Sequence, residues 1–395
     1  MIDEIELASL YAKKTKSLNP KKFKDETFEL YSIRAFDNGY PEIITGAEIG
    51  SSKKILEYND VILSRIVPHI RRCWVVPKSD KLKQIGSGEW IVFRSDKIYP
   101  DFLRYFLLSN PFHSMFMNTV KGVGGSLLRA DPKQVGRFKI PLPSLNSQQL
   151  IASILDDASL LRDKTMQLLK EYDLLEQSIF LDMFGDVVNN PKNWKTKTIE
   201  GLVVNVKGSI KRGPFGGALK KEIFVKQGYL VYEQYHALNN DFNFERYYID
   251  DKNFERLKGF EVKPGDIIIS CSGVYLGKLA IIPKDAKKGI INQALLKVTL
   301  DEQKMRKDFF VFHFTQQNFR DKYFGANRGA GIPNFPPMAS FKKFPFIAPP
   351  INLQNQFAEK IDLIEQQKEL AKQELQESED LFNCLLQKAF KGELA

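Results

Sequence analysis

The chain has 395 residues, too many for one ordinary core, and its 43% hydrophobic and 27% charged content is that of a globular protein. Its 58 Lys and Arg against 48 Asp and Glu leave a net charge of +10, which favours an anionic partner, either nucleic acid or a membrane surface. No apolar run approaches the roughly 20 residues that span a bilayer, and MIDEIELASLYAKK puts acids where a signal peptide is basic. Cys73, Cys271 and Cys384 are too scattered for a disulfide framework or a metal cluster, so the expectation is a cytoplasmic protein away from membranes.

Charge and pattern divide the chain into four segments. Residues 1–140 hold 23 basic and 16 acidic side chains. They carry β-like runs at 61–66 (VILSRI) and 89–93 (EWIVF) and a helical stretch at 101–110. Residues 141–190 hold only 3 basic against 8 acidic side chains. There the Pro-rich IPLPSLN (140–146) fixes an extended approach and a long helix follows. Ile151, Ile154, Ala158, Leu161, Thr165, Leu168, Tyr172, Leu175 and Ile179 alternate spacings of three and four, which predicts a coiled-coil seam. The turn-rich GDVVNNPKNWK (185–195) marks a boundary.

Residues 191–345 are basic again, 27 against 15. Their β-like runs are YLVYEQY (229–235), IIISCS (267–272) and LAIIP (279–283), with a helical stretch at 307–319. Residues 346–395 return to an acidic balance, 5 against 9. After APPINLQ (348–354) a second seam runs through Phe357, Ile361, Ile364, Lys368, Ala371, Leu375, Ser378, Phe382, Leu385 and Ala389. The expected fold is therefore two mixed α/β (α+β) domains in tandem, separated by two long helices that form an antiparallel coiled coil.

The two halves are a repeat. At an offset of 206, ten of the 42 positions in 143–184 and 349–390 are identical, among them Gln148/Gln354, Asp156/Asp362 and Phe184/Phe390. The same offset pairs Asp60, Ile62 and Ser64 with Asp266, Ile268 and Ser270. About 35 helical residues span about 50 Å, or about 15 base pairs of B-DNA. Two homologous modules docked alike on opposite strands are related by a two-fold, which makes their helices antiparallel and turns the pair into a ruler between half-sites.

The segments NPKNWKTKTIEG, KRGPFGGAL, VKPGDIIISCSGVYLGKLAIIP and the ending LLQKAFKGEL resemble the specificity subunits of type I restriction–modification enzymes. FELYSIRAFDNGYPEIITGAEIGSSKKIL with NDVILSRI resembles another variant of the same recognition domain. The resemblance covers nearly the whole chain. It implies two target-recognition domains, each followed by a helix, that read a bipartite double-stranded DNA target. It also implies two modification subunits that methylate adenine and two motor-nuclease subunits. By the same resemblance S-adenosylmethionine and ATP are expected only on those partners, and this chain is expected to be non-catalytic. The first repeat departs mildly, ending FLDMFGD where the second ends LLQKAFKGEL.

Phosphate contacts call for Lys and Arg, and base reading for side chains that reach groove edges. The candidates in the first domain are Lys53, Lys54, Arg65, Arg71, Arg72, Lys121 beside Gly122, Gly124 and Gly125, and Arg129. In the second they are Lys211, Arg212, Lys220, Lys221, Tyr235, His236, Asn327 and Arg328. Any single Lys pair also suits a solvated face, and Arg65 also suits an internal ion pair. Catalytic patterns are wanting. NFPP (334–337) has the wrong order for an adenine methyltransferase motif, and GVYLGKL (273–279) lacks the length and the hydroxyl residue of a phosphate loop. Glu261, Lys263 and Asp266 fall on a turn, and the four histidines have no metal spacing. The competing readings are a recognition chain of another phage-defence or methyltransferase assembly, a coiled-coil scaffold that binds no DNA, and an enzyme with an unrecognised site.

Overall fold

The computed structural model describes residues 3–122, 128–215, 217–273, 275–325 and 334–394. Two helices dominate it, Leu145–Phe184 and Ile351–Lys391. Contacts divide the chain into two compact units, Met1–Gln167 with Ala371–Ala395, and Leu168–Leu370. Both divisions fall inside the long helices, so each unit owns one end of each helix. The sequence alone placed its boundaries at the ends of those helices.

In the first unit a five-stranded sheet runs Ser17–Leu18, Lys53–Ile55, Lys83–Gly86, Thr27–Tyr31, Glu42–Thr45. Only the pairing of Thr27–Tyr31 with Lys83–Gly86 is parallel. A three-stranded antiparallel sheet of Cys73–Val75, Val61–Ser64 and Trp90–Phe93 packs beside it. Tyr31, Leu56, Ile62, Trp90 and Val92 fill a shared buried cluster. Glu4–Glu6 pairs with Lys139–Pro141, the strand that leads into the first long helix. Pro100 opens the helix Pro100–Leu108, where its missing N–H costs nothing. Ser109 then caps the helix Asn110–Met117 by accepting the N–H of Phe112.

The second unit repeats this plan. Its five-stranded sheet is ordered Phe224–Val225, Tyr248–Ile249, Tyr229–Tyr232, Gly289–Ile291, Glu261–Val262, again with one parallel pair, Tyr229–Tyr232 with Gly289–Ile291. A four-stranded antiparallel sheet runs Ile210–Arg212, Leu295–Val298, Ile267–Ser270, Leu279–Ile281. Thr196–Thr198 pairs with Pro345–Ile347 ahead of the second long helix. The run 229–235 is not all strand: the chain turns at Glu233 into the helix Gln234–Asn239. The helical stretch 307–319 breaks at Gln316 into Lys307–Thr315 and Gln317–Phe324.

Two repeated devices show why the duplicated residues are duplicated. Asp60 is fully buried and accepts the N–H of Glu57 at 2.8 Å. Asp266 accepts the N–H of Lys263 at 2.8 Å in the matching turn. Each carboxylate thereby closes the turn into its central strand. Arg94 neutralises Asp60 at 2.6 Å, and the Thr299 hydroxyl donates to Asp266 at 2.5 Å. The acid at 266 is thus a structural turn residue.

Within each unit the long helices run antiparallel. In the first, Arg162 lies over the Phe382 ring, while Ala389 shares a core with Ile151, Ala152 and Leu155. In the second, Phe357 meets Phe180 and Phe184, while Lys368 meets Asp173 and Glu176. In both cases numbers rise along one helix as they fall along the other.

Candidate nucleic-acid interface

In the first unit three backbone segments knit together at the end of strand Val61–Ser64. The N–H of Arg65 donates to the Glu89 carbonyl at 3.0 Å, and the N–H of Ala130 donates to the Arg65 carbonyl at 2.8 Å. Ile66 and Arg129 form a β-bridge. This junction gathers charge. Arg65 Nε donates to the Glu89 carboxylate at 2.9 Å, and Arg129 Nε reaches both carboxylate oxygens at 3.2 Å. The Arg65, Arg129 and Glu89 side chains are 34%, 39% and 24% exposed, so the cluster faces solvent. Lys54 lies alongside, its Nζ donating to the Trp90 carbonyl at 2.6 Å. Burial holds the Lys54 ammonium below its ordinary range, and the Arg65 charge adds to that. Lys121 sits opposite Arg129 in a short strand pair and reaches Asp131 at 3.0 Å.

The second unit has the same junction with other side chains. The N–H of Cys271 donates to Ala294 at 2.8 Å, the N–H of Phe335 donates to Cys271 at 2.9 Å, and Ser272 bridges Asn334. Arg65, Glu89 and Arg129 are therefore matched by Cys271, Ala294 and Asn334. Burial pushes the Cys271 thiol up to about 12, which keeps it inert. Gln234 donates to the Ser270 hydroxyl and the Ser272 carbonyl, both at 2.6 Å. On the edge strand, Lys211 lies 5.0 Å from the Phe260 ring. The Arg212 guanidinium lies 5.0 Å from the ring of Phe215, which is 62% exposed. Arg212 Nε is buried with no hydrogen-bond partner among the described residues. Gly213 is required here, because a Cβ would fall 1.8 Å from the Asn292 carbonyl oxygen.

Of the remaining candidates, Lys220 and Lys221 are exposed. Lys53 is half-buried, its Nζ bonded to the Ser51 hydroxyl at 2.6 Å. Arg71 is exposed and donates to the Leu108 carbonyl at 3.0 Å. Tyr235 is 40% exposed, with its ring 4.1 Å from Phe244. Two residues correct the sequence reading. Arg72 is buried and forms a two-pronged pair with Asp37 at 2.6 and 2.8 Å. His236 is fully buried, its ring nitrogens engaged by the backbone of Glu233 and Phe244. Neither side chain is presented on a surface. Asn327, Arg328, Gly124 and Gly125 lie outside the described residues. Sequence reasoning missed Glu89, whose structural counterpart Ala294 stands at an offset of 205, one short of the 206 of the repeat.

On the second long helix Phe357, Ile361, Ile364, Lys368, Ala371, Leu375, Ser378, Phe382, Leu385 and Ala389 are buried or half-buried. On the first helix Ile151, Ile154, Ala158, Thr165, Tyr172 and Ile179 are likewise turned inward. Leu161, Leu168 and Leu175 are not: they are 42%, 37% and 45% exposed. Arg162, Leu169 and Glu176 take the inward places. Leu150, Leu160 and Leu161 thus form open apolar surface on the first unit, and Leu174, Leu175, Leu181 and Leu363 on the second.

No group of three or more His, Cys, Asp or Glu side chains placed to hold a metal occurs among the described residues. No helix among them is long and apolar enough to cross a membrane.

The type I restriction modification DNA specificity domain family matches the sequence twice, over residues 5–176 and 191–379, and the chain belongs to that family. A chain from a structural study of the complex assembly and conformational transition of the type I R-M system is similar in fold. It is 18% identical with a TM-score of 0.64, over 99% of this chain and 98% of that one. The type I restriction–modification S subunit from M. genitalium is 14% identical with a TM-score of 0.55, over 98% and 96%. The HsdS subunit from Thermoanaerobacter tengcongensis is 19% identical with a TM-score of 0.44, over 99% and 97%. A comparison with curated proteins found no match.

Proposed function

We propose that this chain is the non-catalytic reading subunit of a type I restriction–modification complex, in which each unit reads one half of a split double-stranded DNA site. The observation that carries this reading is the duplicated junction. One backbone arrangement recurs in two net-basic domains with different side chains, as two heads of one design reading different bases require. The helix pair sets the distance between the half-sites, as dimer geometry does for palindromic operators.

In this reading two modification subunits dock on the chain and methylate adenine with S-adenosylmethionine. Two motor-nuclease subunits, which consume ATP, complete the complex in the cytoplasm. The solvent-facing leucines of the long helices support the docking, since the seam between the helices leaves them unpartnered in each unit.

The test is to assemble the chain with its modification subunits, expose genomic DNA to the complex with S-adenosylmethionine, and map methylated adenines. The expected motif has two short specified blocks around a spacer of fixed length and free sequence. A single contiguous motif, or methylation without sequence preference, rejects the reading.

A further inference from the structure

We infer that Arg65 is a base-reading side chain of the first head, selecting guanine, and that Glu89 is the positioning residue that aims it. The inference rests on the proposed reading of split DNA. Its starting observation is that the junction around Arg65 recurs around Cys271 with equivalent backbone hydrogen bonds. Cys271, Ala294 and Asn334 sustain that backbone without an ion pair between them, so the fold does not need the charges of Arg65, Glu89 and Arg129. Residues the fold does need, Asp60 with Asp266 and Gln148 with Gln354, are kept in both copies. The charged trio is thus a property of the first head and not of the scaffold.

Charge and geometry point the same way. Arg65 and Arg129 share one carboxylate, with Lys54 within electrostatic reach of both Arg65 and Glu89, which leaves an excess of positive charge on a solvent-facing junction. A surface ion pair of this exposure contributes little to stability. Glu89 holds Arg65 by its Nε edge at 2.9 Å. That bond restrains the guanidinium through its Nε–H and engages neither terminal nitrogen. A fork fixed in this way matches the O6 and N7 acceptors of guanine in the major groove, the commonest specific contact in DNA recognition. Lysine carries the same charge, but its ammonium is a point donor on a flexible stem and does not present the planar fork that Glu89 holds.

The experiment is a selection from double-stranded DNA with randomised half-sites, using the full chain assembled with its modification subunits, for the unaltered protein, Arg65→Lys and Glu89→Gln. Arg65→Lys is expected to lower discrimination at one guanine of one half-site by about tenfold or more. The other half-site and the salt dependence of binding should be unchanged. Glu89→Gln, which keeps the shape and an acceptor oxygen but loses the charge that holds the guanidinium, should relax the same position less. The untouched half-site reports folding within the same molecules. Unaltered preferences in Arg65→Lys overturn the inference, and so does a uniform loss across all sequences, which marks a phosphate contact. If the unaltered protein enriches no sequence, the reading of split DNA falls and takes this inference with it.

Discussion

The side-chain oxygen of Gln354 accepts the backbone N–H of Arg306 at 2.9 Å, fastening the start of the second long helix to the start of the helix Lys307–Thr315. Its amide donates to the Pro349 carbonyl at 2.8 Å. Gln148 makes the same two bonds in the first unit, to Tyr99 at 2.7 Å and Pro143 at 2.8 Å. Both glutamines are buried, so water cannot replace these partners. Gln354→Leu strands a backbone donor and acceptor at a cost of about 1–3 kcal/mol. A domain of this size loses about 2–4 °C of melting temperature for each kcal/mol. Thermal unfolding should therefore show a drop of several degrees for Gln354→Leu and a similar one for Gln148→Leu. A change below 1 °C in both contradicts the fastening role.

The second seam was legible in the sequence and the first only in part, and the difference has a physical cause. The second helix offers few apolar choices, and Phe357, Ile361, Ile364 and Ala371 all face inward. The first helix carries leucine doublets at 160–161, 168–169 and 174–175, so hydrophobicity alone does not select a face. The selection is made by the partner helix: Arg162 turns inward over Phe382, and Glu176 turns inward to Lys368. Such pairings belong to two helices at once and are invisible in either alone. The candidate interface was legible as basic clusters. Burial then removed Arg72 and His236, since no local pattern distinguishes a surface arginine from one paired with Asp37.

Glu176 gives the second unit a pH dependence. Burial, reinforced by the carboxyl of Glu365, pushes its carboxyl up to about 7 from an ordinary 4.5. Burial alone would lower the Lys368 ammonium, but Asp173, Glu365 and Glu176 reverse this and raise it above its usual range. Between pH 4.5 and 7 the folded chain binds more protons at Glu176 than the unfolded chain does. Its contribution to stability therefore falls as pH rises through that window and is level above it. Glu176→Gln should raise stability at pH 8 by about 1–3 kcal/mol and flatten the profile between pH 5 and 7. Lys368 keeps Asp173 and Glu365, each at 2.8 Å. Denaturant unfolding across pH checks this, and a variant less stable than the parent at pH 8 rejects it.

Lys220 and Lys221 should act on DNA affinity without touching sequence preference. Both are exposed, so neither is committed to the core. Each phosphate neutralised contributes about 0.9 to the slope of log affinity against log salt. Replacing both by Ala should flatten that slope by about 1–2 in a titration of cognate DNA, with an unchanged consensus. Lys54→Met is the contrast. Its Nζ is held by the Trp90 carbonyl, so its loss should lower stability more than the salt slope. An unchanged slope in the double variant removes both lysines from the interface.

The spacing of the half-sites should follow helix length in whole heptads. Seven added residues extend a helix by about 10 Å, or about three base pairs, and keep the seam in register. The insertion belongs in both long helices, after Gln167 and after Leu370, where each passes from one unit to the other. An insertion in one helix alone lengthens one partner and not the other, so the Arg162–Phe382 and Lys368–Glu176 contacts could no longer both keep their register. One heptad also turns the preferred face of the duplex by about a third of a turn, since B-DNA repeats in about 10 base pairs. Three heptads add about 31 Å, close to one full DNA turn. Complexes assembled with the three-heptad protein should therefore methylate sites whose spacer is about nine or ten base pairs longer, with affinity near that of the parent. The one-heptad protein should shift by about three and bind more weakly. A spacer that stays fixed in both means that something other than the helix pair sets the distance.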